Sequence, residues 1–218
     1  MRIIDLTFDI ETGMPTCGTP WHQTVAIEPM GTIDTVGRNT ARILLGSHSG
    51  THMDAPRHFV EDGDTIEALD INMLWGDASV IDMHHKGNPG DVVELEDVKK
   101  LTVSERMIFV FGWYHNWKTD KYYKAFPYFS VDAVNYLIDN GMKFMAMDTP
   151  SPDDGSAISS KEDDSPNHKI LLNKKIVMVE YLNNTDELSP DRKYEIAAFP
   201  LKAMGSDGCP ARVLIKEF

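Results

Sequence analysis

The sequence of 218 residues predicts an α+β fold, a mixed β-rich α/β architecture, in one domain spanning 1–218. Three observations predict it. Short apolar runs rich in β-branched residues outnumber helical patterns. The two kinds of pattern interleave along the chain instead of separating into halves. No internal repeat or low-complexity linker divides the chain, and its length suffices for one sizeable core.

In order, 2–7 reads as a first strand, and 13–20, with Pro15, Gly18 and Pro20, as irregular chain. A strand at 41–45 leads straight into a histidine-rich stretch, and 78–83 and 107–111 are short apolar strands. Ser130 stands at an N-cap position and Gly141 just past a helix end. Between them Val131, Val134, Leu137 and Ile138 have helical spacing. Strands at 143–147, 176–182 and 211–215 complete the series. The segment 151–167 carries Asp153, Asp154, Glu162, Asp163 and Asp164 with little apolar content, and reads as an exposed loop, either a lid or a mobile connection.

The hydrophobic fraction of 42% and charged fraction of 25% are those of an ordinary globular protein. A net charge of -13 repels phosphate backbones and anionic lipids, so the expected partner is a small molecule, not nucleic acid or membrane. No apolar stretch reaches transmembrane length, and the first residues lack a signal-peptide pattern. Cys17 and Cys209 are far apart and outside any Cys-x-x-Cys pair. They make no disulfide framework, a reducing cytoplasmic location is the default, and a single disulfide stays open.

Three of the eight histidines fall between 48 and 58, with Asp54 among them. His48 and His52 have helical i, i+4 spacing, but Gly46, Gly50 and Pro56 oppose a helix, and Ser49 stands where a zinc-protease motif has glutamate. On an extended path His48, His52, Asp54 and His58 all aim the same way, and Gly50 and Pro56 permit bends that curl the row about one point. Neutral imidazoles and a carboxylate suit zinc, manganese or iron, with an open position of catalytic type. Gly46-Ser-His-Ser-Gly50 is not a nucleophile elbow, and no phosphate-binding glycine loop occurs. Glu180, inside the apolar run 176–182, needs a partner if buried; from the residues alone it suits a strand-end surface position as well as a ligand position. His168 taken alone carries no signal. Trp21, Phe59, Trp75, Trp113 and Trp117 are candidates for an aryl pocket or for core, and His22, His84, His85 and His115 read as surface groups.

The stretch His48-Ser-Gly-Thr-His-Met-Asp-Ala-Pro-Arg-His58 resembles the His-x-Gly-Thr-His-x-Asp-x-Pro-x-His signature of the cyclase-like metal-dependent hydrolases, which include bacterial kynurenine formamidases and isatin hydrolases. The likeness runs on through Ile4-Asp-Leu-Thr7, Phe111-Gly-Trp113, Asp148-Thr-Pro-Ser151, His168 with Leu171-Leu172, Glu180-Tyr-Leu-Asn183 and Asp207-Gly208-x-Pro210-x-Arg212. It implies a swivelling β/β/α fold and a homodimer or homotetramer with partner residues near the site. It implies that His48, His52 and Asp54 bind metal. His168 and Glu180 would complete a two-metal site bridged by Asp54, and His58 would act as general acid/base. Two Zn2+ per chain are expected, with Mn2+ as the alternative; isatin hydrolases have glutamine at the Glu180 position and a single manganese. The implied reaction is hydrolysis of a small amide, formamide or ester by metal-bound hydroxide, above all N-formylkynurenine to kynurenine plus formate in tryptophan catabolism. Other readings are a lactam or lactone hydrolase, a polyketide-type cyclase or dehydratase, and a non-catalytic metal-binding protein. Specificity is expected to reside in 13–21 and 151–167.

Overall fold

The computed structural model describes residues 1–19, 22–157 and 164–218. The first part of the chain forms strand β1 (Arg2–Asp5), then a hairpin arm of β2 (Ala26–Gly31) and β3 (Thr40–Leu44) with the short helix α1 (Ile33–Val36) at its tip. There follow β4 (His52–Asp54), β5 (Trp75–Asp82), β6 (Val92–Val93), helix α2 (Leu95–Val98), β7 (Arg106–Val110) and β8 (Tyr128–Phe129). The last part holds helix α3 (Val131–Asp139), β9 (Phe144–Met147), helix α4 (Pro166–Asn173), β10 (Val177–Glu180), β11 (Tyr194–Pro200) and β12 (Gly208–Glu217).

The sheet closes on itself. Its order is β12-β11-β5-β7-β9-β10-β4, and β4 pairs back onto β12. β12 is long enough for both contacts: Gly208–Pro210 pairs with β4, while the rest pairs with β11 on one side and, near its end, β1 on the other. The β5-β7-β9-β10 section is parallel, and β7, β9 and β10 are buried on both faces, which explains why these three read as nearly continuous apolar runs. Period-two alternation sorts the side chains. Ile108, Val110, Phe144, Ala146, Val177 and Val179 join Ile196, Val213 and Ile215 in the core inside the ring. Met107, Phe109, Met145, Met147 and Met178 face outward against Val134 and Leu137 of α3 and Leu171 and Leu172 of α4.

The predicted strands at 2–7, 41–45, 78–83, 107–111, 143–147, 176–182 and 211–215 correspond to β1, β3, β5, β7, β9, β10 and β12. α3 is capped as its sequence requires: the Ser130 hydroxyl accepts the Ala133 N–H at 3.4 Å, and Gly141 follows with φ +106°. β11 escaped prediction because its alternation, Tyr194, Ile196 and Ala198 inward, is diluted by alanine. The segment 151–167 is not one exposed loop. Ser151, Pro152 and Asp153 are buried and Asn167 lies in α4, while Glu162 and Asp163 fall outside the described residues. Among the described residues no helix is long and apolar enough to cross a membrane.

Candidate metal centre

The site lies on the outer face of the β4–β10 pair. In that antiparallel ladder Glu180 stands opposite His52 and Met178 opposite Asp54, so a carboxylate and an imidazole project side by side by register alone. On the other flank of β4, Gly208 of β12 stands opposite Asp54. A Cβ there would come within 2.8 Å of the His48 ring, so glycine leaves the space that ring fills. The extended path expected for the whole histidine row holds only for His52–Asp54. His48 sits in the preceding turn, beside Gly50 at φ +61°, and His58 ends a single 3-10 turn opened by Pro56. The bends curl the row around one point, as the glycine and proline allow. Thr51 fixes the strands: its hydroxyl donates to the Tyr181 carbonyl at 2.6 Å and accepts the Phe8 N–H at 2.9 Å. Tyr181 has φ +59°, a strained conformation just after Glu180.

His168 arrives from α4. Asp153 accepts the Asn167 N–H at 2.6 Å and the His168 N–H at 3.0 Å, and lies 2.6 Å from His168 Nδ1. This carboxylate anchors the first turn of the helix and turns the imidazole so that Nε2 faces the site. Asp148, at the end of β9, holds the neighbouring turn by accepting the N–H groups of Phe111 and Gly112 and the Thr185 hydroxyl. Burial lifts its carboxyl to about 6.

The donor set fits a cation. His52 Nδ1 donates to the Gly50 carbonyl at 2.8 Å, His168 Nδ1 to Asp153, and His48 Nε2 to Asp207 at 2.8 Å. The remaining nitrogens then carry lone pairs. His48 Nδ1 lies 2.9 Å from Asp54 Oδ1. His52 Nε2 lies 3.3 Å from both Asp54 Oδ1 and Glu180 Oε2. His168 Nε2 lies 3.2 Å from Glu180 Oε1 and 3.5 Å from Asp54 Oδ2. Lone pairs facing lone pairs at these distances call for a positive charge between them. Both oxygens of Asp54 and Oε1 of Glu180 are buried without a hydrogen-bond donor, the signature of groups that await a cation. Without one, the positive charge is carried by protons. Burial would depress His52, but Asp54 and Glu180 override it and lift it to about 10. Burial likewise opposes the charge on His168, yet Asp153, Asp54 and Glu180 raise it well above the usual imidazole range. Asp54 is held far below the carboxylate range, despite its burial, by His48, His58 and His168.

Two groups of ligand atoms lie within 4.8 Å of one another, His48 with Asp54 and His58, and His52 with Asp54 and Glu180. Asp54 belongs to both. The grouping differs from the one the family signature implies, because His58 joins His48 and Asp54. The His58 side chain is 26% exposed, against 10% or less for His48, His52 and His168, which leaves it able to exchange protons with solvent.

A cavity of about 270 Å3 opens onto these groups. Phe59, Tyr123, Phe126 and Tyr181 give it an aromatic wall, and Cys17, Thr19 and His22 close another side. Of the aromatic candidates among the described residues, only Phe59 lines it. Trp113 is buried in core, Trp117 stacks on Phe8 at 4.4 Å, Trp75 is exposed, and Trp21 lies outside the described residues. His22 is not a surface group. Its ring is 6.1 Å from that of His48, and burial, reinforced by the neighbouring imidazoles, pushes it down to about 4. His84 and His115 are exposed as expected, though both contact Asp186, and His85 is exposed. Sequence reasoning missed Asp153 outright and gave Asp207 no role.

Comparisons with known proteins bear on the family and the fold. The Cyclase family model matches residues 4–154. A kynurenine formamidase of Geobacillus thermodenitrificans is 32% identical over 181 residues, 82% of this chain and 80% of the relative. One from Erythrobacter litoralis is 26% identical over 82% of this chain and 77% of its own. A predicted metal-dependent hydrolase from Bacillus stearothermophilus superposes with a TM-score of 0.73 at 27% identity, covering 98% of this chain and 97% of that one. Isatin hydrolase A from Ralstonia solanacearum shares the fold, with a TM-score of 0.87 at 23% identity over 98% of this chain and 91% of the other. The match to the family model, over the strands that build the histidine row, and the similarity to the Geobacillus relative show that the chain belongs to the Cyclase family.

Proposed function

We propose that this chain is a metal-dependent hydrolase of a small amide, and that N-formylkynurenine, cleaved to kynurenine and formate, is its substrate. The convergence of three imidazole lone pairs and two buried carboxylates beside an accessible His58 carries the reading. The kynurenine formamidases among its relatives support the substrate, and the aromatic wall of Phe59, Tyr123, Phe126 and Tyr181 suits its aryl ring.

His48, His52, Asp54, His168 and Glu180 would hold two Zn2+ ions, with Mn2+ as the alternative. When bound, such ions lower the pKa of water from 15.7 toward about 7 and polarise the amide carbonyl. His58 takes a proton from the attacking water and returns it to the departing amine nitrogen, so that amide plus water gives acid plus amine. The purified protein is expected to contain about two metal ions per chain by elemental analysis and to hydrolyse N-formylkynurenine until chelated. Metal without turnover on that substrate or on isatin would reject the substrate assignment, and a protein that binds no metal after reconstitution would reject the site.

The same reading makes the protein a cytoplasmic homodimer or homotetramer. Both cysteines are free, in keeping with a reducing compartment. The β2–β3 arm leaves Ile27, Met30, Ile33, Val36, Ile43 and Leu44 exposed, and a two-stranded hairpin of this kind is stable only when packed against something. Light scattering on the eluting protein should give two or four chains per particle; a monomer at micromolar concentration would refute the assembly. Cell fractionation tests the compartment.

A further inference from the structure

His58 serves as an acid/base only if one ring nitrogen holds a proton and the other faces the cavity bare, and the structure shows what makes that choice. Asp207 Oδ2 lies 2.8 Å from His48 Nε2 and 3.1 Å from His58 Nδ1. The two rings lie nearly side by side, 4.0 Å apart at an angle of 31°. A single carboxylate oxygen therefore accepts an N–H from each imidazole. For His48 this leaves Nδ1 bare toward Asp54. For His58 it leaves Nε2 bare.

The backbone delivers Asp207 to this spot. Its carbonyl accepts the Ala55 N–H at 2.9 Å, the carbonyl of Ser206 accepts the Ile66 N–H at 2.9 Å, and the next residue is Gly208, the rung opposite Asp54. The carboxylate is thus held by the same ladder that holds Asp54, and its side chain stays 37% exposed. We propose that Asp207 is a positioning residue that fixes with one oxygen the tautomers of both the metal ligand His48 and the acid/base His58, so that readiness to bind metal and readiness to accept a proton are set together. The proposal rests on the hydrolase reading for its consequences in turnover, but the tautomers themselves are observable without any substrate.

Asparagine would not test this, because its carbonyl oxygen has two lone pairs and can accept from both rings in the place of Oδ2; alanine removes the acceptor. In Asp207→Ala, zinc still demands a bare Nδ1 on His48, but no acceptor holds a proton on His58 Nδ1. The His58 proton moves to Nε2, and the cavity loses its base, the same loss that a wrong tautomer causes in a serine-protease triad. With zinc saturating, Asp207→Ala is therefore expected to keep its metal and to lose about 100-fold in kcat, with KM changed less than about threefold.

The deciding measurement is nitrogen-15 NMR of the imidazoles in the metal-free and zinc-loaded protein, with zinc content and kcat and KM for N-formylkynurenine measured alongside. In the zinc-loaded wild type His58 should show an Nδ1–H, and in Asp207→Ala an Nε2–H. An unchanged His58 tautomer in the variant overturns the proposal, whatever the turnover. If the wild type fails to turn over N-formylkynurenine, the substrate reading falls and the NMR result still decides the role of Asp207. Added to Asp207→Ala, acetate, admitted by the partial exposure of the position, should restore the Nδ1–H signal of His58 and part of the turnover, and no effect of acetate on the tautomer overturns the proposal. Should Asp207→Ala not fold, the wild type decides alone: an Nε2–H on His58 in the zinc-loaded protein overturns the proposal.

Discussion

His58→Ala should lower kcat for N-formylkynurenine by about 10²–10⁴-fold and leave the zinc content unchanged. The drop reflects loss of a group that moves a proton in both halves of the reaction. The exposure of His58, greater than that of the other site histidines, and its hydrogen bond to Asp207 fit a group that exchanges protons and not one enclosed by metal. The structure also contains the rival reading, since His58 lies within 4.8 Å of His48 and Asp54 as a third donor. The two readings separate cleanly. A proton carrier leaves metal content intact when removed, and a ligand does not. Loss of one zinc per chain in His58→Ala, measured by elemental analysis, would move His58 from the acid/base role into the coordination set.

How much of this was legible in the sequence follows from how far apart the cooperating residues lie. The row His48, His52, Asp54 and His58 is local, so composition and spacing sufficed to mark it. β7 and β9 were legible because a strand buried on both faces shows as an uninterrupted apolar run. Glu180 stood balanced between surface and site until the β4–β10 register placed it opposite His52, a fact no local pattern encodes. Asp153 was read as one more solvated acid in a polar segment. It is buried because the N–H groups at the start of α4 and the His168 ring satisfy it, and that helix opens with Pro166 and polar residues that weakened its pattern. His22 was set aside for the same reason: nothing near it in sequence announces that its ring will lie beside that of His48. Helix caps, apolar periods and clustered ligands are short-range signals. Ligand orienters such as Asp153 and Asp207 are long-range contacts, chosen by the fold once it has formed.

Asp54→Asn should have the largest effect on the metal centre. Asp54 faces all three ligand imidazoles and belongs to both groups of candidate ligand atoms, so its charge serves the whole site. The substitution preserves volume and removes the charge that balances the buried imidazoles. Zinc affinity is expected to fall by more than about 100-fold, beyond the 10–100-fold range of changes made in the shell that only orients ligands. Thermal denaturation reads the same loss as stability. A ligand at about 100 times its dissociation constant stabilises the native state by about 2.7 kcal/mol, so zinc should raise the melting temperature of the wild type and leave that of Asp54→Asn where it was. The metal-free variant is expected to fold, because Glu180 remains to balance the buried His52, and Asp153 and Glu180 remain to balance His168. Three outcomes are distinct. Two zinc ions lost per chain support a bridging carboxylate. One lost and one kept confines Asp54 to a single ion and divides the site as His52 with Glu180 and His168 against His48. Full zinc content with an undiminished thermal shift would remove Asp54 from the coordination set, and with it the ligand assignment built on the buried lone pairs.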